Sequence, residues 1–278
     1  MDSGAPASEL RKRVITGALG GILLIAVLIL LGPVGGYLVA LVMSLAMMYE
    51  FAGISLNLPD QAEKRWGLLL LTWITVVLCF LMAGEEASIL AFCFLLLNFY
   101  FLLTAERYEG ADFGQHYKEL MACNFGVLYL VFLPLYLPMM QNLANGTKWA
   151  LLFLIIVFAG DTAAYFGGKK WGNRRLYAKI SPKKTVEGAL AGWLAGVVCA
   201  LLYKGIFFRE MSWAATLVLP LVVGAAAQIG DLCESFLKRA FDKKDSGTIL
   251  PGHGGFLDRF DGVVFSLPIM YACIKVLA

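Results

Sequence analysis

Long apolar runs, each near the length of a bilayer crossing, alternate along the whole chain with short charged or Gly/Pro-rich breaks. A helix rising 1.5 Å per residue needs about 20 mostly apolar residues to cross the ~30 Å hydrocarbon core. Nine stretches meet that pattern: 14–31, 36–53, 67–83, 87–105, 120–140, 149–167, 186–203, 212–230 and 262–277. Pro134, Pro138, Pro220 and Pro268 fall inside them, which membrane helices tolerate when neighbouring groups satisfy the freed carbonyls. The first stretch follows Arg11, Lys12 and Arg13 as a signal peptide would, but it is long and no small-x-small cleavage site follows, so it reads as a retained helix. The expected fold is therefore all-α, a polytopic integral membrane protein of about nine transmembrane helices. Residues 1–120 would supply about four N-terminal spans. Residues 121–278 would form a C-terminal transmembrane region with loops 168–185 and 231–261 on one side.

Composition agrees and excludes alternatives. With 60% hydrophobic and 15% charged residues, the chain is no ordinary soluble domain, and its scattered Gly and Pro fit neither a disordered nor a collagen-like chain. Nine spans leave only loops and tails, with no room for a large soluble domain. Lys and Arg set the direction, because they concentrate on the cytoplasmic side. Placing the N-terminus inside and the C-terminus outside puts 19 of them in the cytoplasm and only Lys148, Lys204, Arg209 and Lys275 opposite. The formal net charge of +3 thus understates a basic cytoplasmic face suited to anionic lipid or nucleotide. The six Cys form no C-x-x-C pair and lie mostly in apolar runs, where a thiol is a small hydrophobe. With only His116 and His253, a zinc site is disfavoured, while oxygen-ligated metals stay open.

The costly polar residues crowd into the C-terminal part. Asp161 lies within the sixth stretch, roughly 9 Å below an expected helix end at Gly167. A carboxylate so placed faces a cavity, a partner or an ion, or makes a helix-packing hydrogen bond. A basic loop follows, closing on Ser181-Pro182-Lys183-Lys184-Thr185-Val186-Glu187-Gly188. Pro182 keeps Ser181 extended, and Thr185 can cap the next helix. Lys183 and Lys184 then stand beside a helix N-terminus, which itself favours phosphate. If the eighth helix continues through Asp231, then Asp231, Ser235 and Lys238 share a face. Gly252, Gly254 and Gly255 flank His253, and their access to positive φ would let backbone N–H groups turn toward one anion. Asp258 and Asp261 stand three residues apart at the start of the last helix and suit Mg²⁺, a cation shared with substrate phosphates; capping and ion pairing with Arg259 or Arg239 are the alternatives.

Read as one string, Ser235-x-Leu237-Lys238-Arg239-x(4)-Lys244-Asp245-x-Gly247-x(2)-Leu250-Pro251-x-His253-Gly254-Gly255-Phe256-x-Asp258-Arg259-Phe260-Asp261 resembles the signature of the CTP:phosphatidate cytidylyltransferase (CDP-diacylglycerol synthase) family. Asp161-Thr162-Ala163-Ala164-Tyr165 and the Ser181–Gly188 segment look like two further motifs of that family, with Ala163 where members often have Gly. All matching segments lie in the C-terminal half. The resemblance implies an inner-membrane enzyme joining CTP to phosphatidic acid, with Mg²⁺, a second cation (Mg²⁺ or K⁺), surrounding membrane lipids and a homodimeric state; no nucleic acid is implied. It implies metal ligation by Asp161, Asp231, Asp258 and Asp261. Lys183, Lys184 and His253 would act on the phosphates, and Ser235, Lys238, Arg239, Lys244, Asp245, Gly254, Gly255 and Arg259 would bind substrate. A transporter would place Asp161 similarly but would show paired motifs in two halves. A polyprenol kinase would use the same ions, and the D-G-x(2)-A-R run of a CDP-alcohol phosphotransferase is absent from the sequence.

Overall fold

A computed structural model describes residues 7–249 and 254–277, with side chains from Gly17 onward. The helices are α1 (Ala7–Ser55), α2 (Gln61–Leu81), α3 (Glu86–Thr104), α4 (Gly110–Val127), α5 (Leu133–Gln141), α6 (Gly146–Trp171), α7 (Val186–Ile206), α8 (Trp213–Ala240) and α9 (Leu257–Leu277). A hairpin of β1 (Arg175–Tyr177) and antiparallel β2 (Ser181–Thr185) stands between α6 and α7. Among the described residues, eight segments are long and apolar enough to cross a membrane, α4 and α5 counting together as Gly110–Gln141. Their outward surfaces are apolar, with Leu30 79%, Leu102 69% and Val276 82% exposed, as lipid-facing positions are and water-facing ones are not.

The fold is all-α and polytopic as expected, and its irregularities have local causes. The first two expected stretches are the two arms of α1, which meet at a kink within the 39-residue apolar part Gly17–Ser55. At 1.5 Å each these reach about 58 Å, close to twice the hydrocarbon thickness. The helix breaks at Gly32, which takes φ 53 and ψ −130. Pro33 supplies no N–H and disfavours helical geometry in the residue before it, and glycine alone takes positive φ there without strain. The expected 120–140 stretch begins earlier, at Gly110, and contains a π turn at Leu128–Phe132. Pro134 follows at once and cannot donate to the helical ladder, a common reason for such a turn.

The chain packs as two units, Met1–Leu135 with Asp245–Leu257, and Tyr136–Lys244 with Asp258–Ala278. In the first, Phe51 and Met48 press on Gly126, where an added Cβ would sit 2.7 Å from the Phe51 ring. A buried ionic cluster pins α2 to α4: Lys64 Nζ lies 2.7 Å from Glu119 Oε2 and 3.0 Å from Asp60 Oδ1. The second oxygen of Glu119 accepts from the N–H groups of Asn57 and Leu58, at 2.6 and 3.0 Å. The Lys64 ammonium also meets His116 Nδ1 at 3.2 Å, so that nitrogen is the acceptor and Nε2–H donates to the Phe101 carbonyl at 2.9 Å.

In the second unit, α6 and α7 cross backbone to backbone along Gly160, Ala164 and Gly168 on one side and Gly188 and Gly192 on the other. An added Cβ at Gly192 would stand 2.8 Å from the Gly160 carbonyl oxygen, and one at Gly188 would stand 2.7 Å from that of Ala164. Small residues four apart are how membrane helices approach this closely. Gly230 of α8 and Gly262 of α9 do the same: a Cβ at Gly230 would lie 2.9 Å from the Asp261 carbonyl oxygen, and one at Gly262 would lie 3.0 Å from that of Ala227.

Candidate functional site

Each close crossing carries an aspartate beside its glycine: Gly160-Asp161, Gly230-Asp231 and Asp261-Gly262. Backbone contact at the glycines therefore brings carboxylates from α6, α8 and α9 to one place. Asp161, Asp231, Asp258 and Asp261 all line a cavity of about 740 Å³, within the size range of small-molecule sites. Asp231 is electrostatically coupled to both Asp161 and Asp261. Asp161 is exposed to the cavity, whereas Asp261 is 7% exposed and accepts from the Gly262 N–H at 2.7 Å. Helix α6 runs on to Trp171, so Asp161 lies deeper than an end at Gly167 implied.

The cavity is also lined by cations. Among the described residues these are Lys169, Arg175, Lys183, Lys184 and Arg259. The hairpin explains this set, because β2 runs straight into α7 and delivers Lys183 and Lys184 just before its cap. Thr185 Oγ1 accepts from the Gly188 N–H at 3.2 Å, the capping expected from the sequence. Glu187 accepts from the N–H groups of Asn173 and Arg174, at 3.0 and 3.2 Å, and so fixes where the hairpin leaves α6. Lys184 bonds to Asp231 across the cavity.

Other candidates lie elsewhere. Helix α8 does continue past Asp231, to Ala240, but Lys238 does not turn to the cavity. Its ammonium lies 2.8 Å from Glu234 Oε2 and 2.5 Å from Asp258 Oδ1. Arg239 is exposed and donates to the Lys243 carbonyl at 3.4 Å; Lys244 and Asp245 are exposed, and Ser235 is half-buried. Gly254 takes φ 84, the positive region its lack of a side chain permits, and Gly255 is buried. His253 lies outside the described residues.

Sequence reasoning missed Lys169 and Arg175 as wall residues, since only the hairpin turns Arg175 inward, and it missed Glu234. The signal for Glu234 was present: it precedes Lys238 by four positions on a helix. Among the described residues, no three of His, Cys, Asp and Glu stand close enough to enclose an ion by themselves. The donor set still fits Mg²⁺, which commonly takes one or two carboxylates and completes its shell with water and substrate phosphate. Hard oxygens and ammonium and guanidinium groups lining one cavity suit a metal that arrives with a polyphosphate.

Fold and cavity together define a multi-pass membrane protein whose cavity is lined by both aspartates and cations. The model of the cytidylyltransferase family matches residues 11–277. A phosphatidate cytidylyltransferase of Bacillus subtilis (strain 168) is 31% identical over 269 residues, covering 95% of this chain and 97% of the relative. One from Brucella suis biovar 1 is 32% identical over 267 residues, 95% and 93% of the two chains. One from Thermotoga maritima is 31% identical over 246 residues, 86% and 88%. The chain belongs to the cytidylyltransferase family.

Proposed function

We propose that the protein transfers CMP from CTP to phosphatidic acid, giving CDP-diacylglycerol and pyrophosphate at the cytoplasmic face of the membrane. The observation that carries this reading is the single cavity in which four aspartates face five cations, in a chain similar along nearly its whole length to phosphatidate cytidylyltransferases. In the reaction, a phosphate oxygen of phosphatidate forms a bond to the α-phosphorus of CTP. The bond from that phosphorus to the bridging oxygen breaks, and its electron pair leaves with pyrophosphate. The phosphate monoester is already ionised near neutral pH, so no protein base is needed. Positioning and charge neutralisation are what remain for the protein.

Asp231, Asp258 and Asp261, with Asp161, would hold Mg²⁺, which supplies charge neutralisation on the triphosphate. Lys183, Lys184, Arg175 and Arg259 would bind the phosphates, with Lys184 held ready against Asp231. The two substrates impose the location. Phosphatidate stays in the bilayer, at about 0.8 kcal/mol per buried CH₂, and CTP stays in water. The 19-to-4 division of Lys and Arg supports an N-terminus inside and a C-terminus outside, with this cavity at the inner face. A homodimer and a second cation are further expectations of the family resemblance.

The test is incorporation of labelled CMP from CTP into phosphatidate by the purified protein, with and without Mg²⁺. Mg²⁺-dependent incorporation with matching pyrophosphate release is expected. Ion flux into liposomes without CTP turnover would favour a transporter and overturn the reading.

A further inference from the structure

Glu50 lies on α1, more than two hundred residues from the cavity-lining carboxylates of α9, and is 3% exposed. Its carboxylate nevertheless serves the segment that leads into that helix. Oε2 accepts from Ser246 Oγ at 3.1 Å and from the Leu257 N–H at 2.9 Å, and Oε1 accepts from the Ile249 N–H at 3.4 Å. The Gly247 backbone lies flush against the same carboxylate, where an added Cβ would sit 2.6 Å from Glu50 Cδ. Leu257 is the first residue of α9, and its N–H is one of the four that a helix start leaves without an internal partner. One side chain on a distant helix therefore holds the segment both at its start and where α9 begins.

We propose that Glu50 is a positioning residue for Asp258 and Asp261, fixing the start of α9 through the Leu257 N–H and the Ser246–Ile249 backbone. An N-cap side chain reaches the N–H of the second or third helical residue, so the Leu257 N–H, the first of α9, takes its acceptor from elsewhere. What the distant carboxylate adds is a fixed origin for the helix, with Asp258 one residue and Asp261 four residues beyond the bonded N–H. Displacing reacting groups by about 1 Å can cost about 100-fold in rate even when the mutation is remote from the chemistry.

The inference rests on the proposed CMP transfer, and two measurements separate the two. The first compares kcat and the KM for phosphatidate in wild type, Glu50→Ala and Glu50→Gln. Glu50→Ala should lose about 100-fold in kcat with KM for phosphatidate within about threefold. Glu50→Gln, which keeps one acceptor oxygen, should recover part of the loss. Gly247→Ala, which drives a methyl into the carboxylate from the other side, should reproduce the defect with Glu50 intact. The second is hydrogen–deuterium exchange of the peptide covering 254–262, which should quicken in Glu50→Ala and Gly247→Ala whether or not the protein turns over CTP. Absence of turnover in wild type counts against the proposed function and leaves the exchange result to decide the role of Glu50. Unchanged exchange, or a folded Glu50→Ala protein with wild-type kcat, overturns the positioning role.

Discussion

The Lys238 ammonium lies 2.5 Å from Asp258 Oδ1, and that bond ties the last turn of α8 to the first turn of α9. The same ammonium meets Glu234 at 2.8 Å, and Glu234 is 1% exposed. Lys238 therefore bridges a buried carboxylate of α8 and an acidic side chain that lines the cavity.

Replacing it with Met would leave two neighbouring carboxylates without their shared cation. Removing one partner of a buried ion pair costs about 3–5 kcal/mol. Lys238→Met should therefore lower the melting temperature in detergent together with kcat. A lysine that only touched the triphosphate would instead raise KM for CTP and leave the melting temperature alone.

Asp261→Asn is the sharpest change within the cavity. Asn has nearly the same shape and keeps an oxygen to accept the Gly262 N–H, so the α8–α9 crossing should persist. It loses the charge that would face Mg²⁺. Mg²⁺-dependent turnover should fall by at least the roughly 100-fold that even outer-shell changes at metal sites cost. Melting temperature should hold or rise slightly, since a buried charge is removed. Near-normal activity would remove Asp261 from the ligand set.

Much of this site is legible in the sequence, and the exceptions share a cause. The four aspartates stand out because each is expensive in an apolar setting, and Thr185 because a capping residue before a new helix has a local signature. Lys238 stands out as a candidate but its joint pairing with Glu234 and Asp258 does not, and Glu50 does not stand out at all, because a side chain's partner across the fold is decided by packing that no spacing encodes. Arg175 and Lys169 were visible as charges, but the β1–β2 pairing is what places Arg175 at the cavity, and the extension of α6 to Trp171 is what places Lys169 there. The break at Gly32 was visible as Gly-Pro between two apolar runs, yet sequence could not tell a longer loop from a kink at one residue.

The α6–α7 crossing makes a separate prediction. Gly192→Val puts bulk into a space where even a Cβ would sit 2.8 Å from the Gly160 carbonyl oxygen. Overpacking of this kind typically costs about 1–3 kcal/mol. The helices should part at Asp161's neighbour, so activity should fall by more than the loss of folded protein explains. Gly205→Val, at a position on the same helix with nothing within 4 Å, is the control and should behave as wild type.

The Lys64 cluster in the other unit gives a prediction independent of catalysis. Glu119→Gln strips the buried ammonium of its nearest carboxylate, and about 3–5 kcal/mol of destabilisation is expected, read as a lower melting temperature. A paired Lys64→Met, Glu119→Leu change removes both charges and should cost much less, because buried pairs often contribute little against apolar replacements. Asp60 adds a pH limb to this cluster. Burial pushes its carboxyl up, but hydrogen bonds from Tyr108 and Lys64 outweigh that and hold it below the ordinary 3.8. A carboxyl lowered on folding contributes its full stability above the ordinary value and loses it as pH falls through the lowered one. The wild-type melting temperature should therefore drop as pH falls below 3.8, and the drop should be shallower in Asp60→Asn. Parallel acid limbs in the two proteins would show that Asp60 does not draw on Lys64 and Tyr108 as the geometry requires.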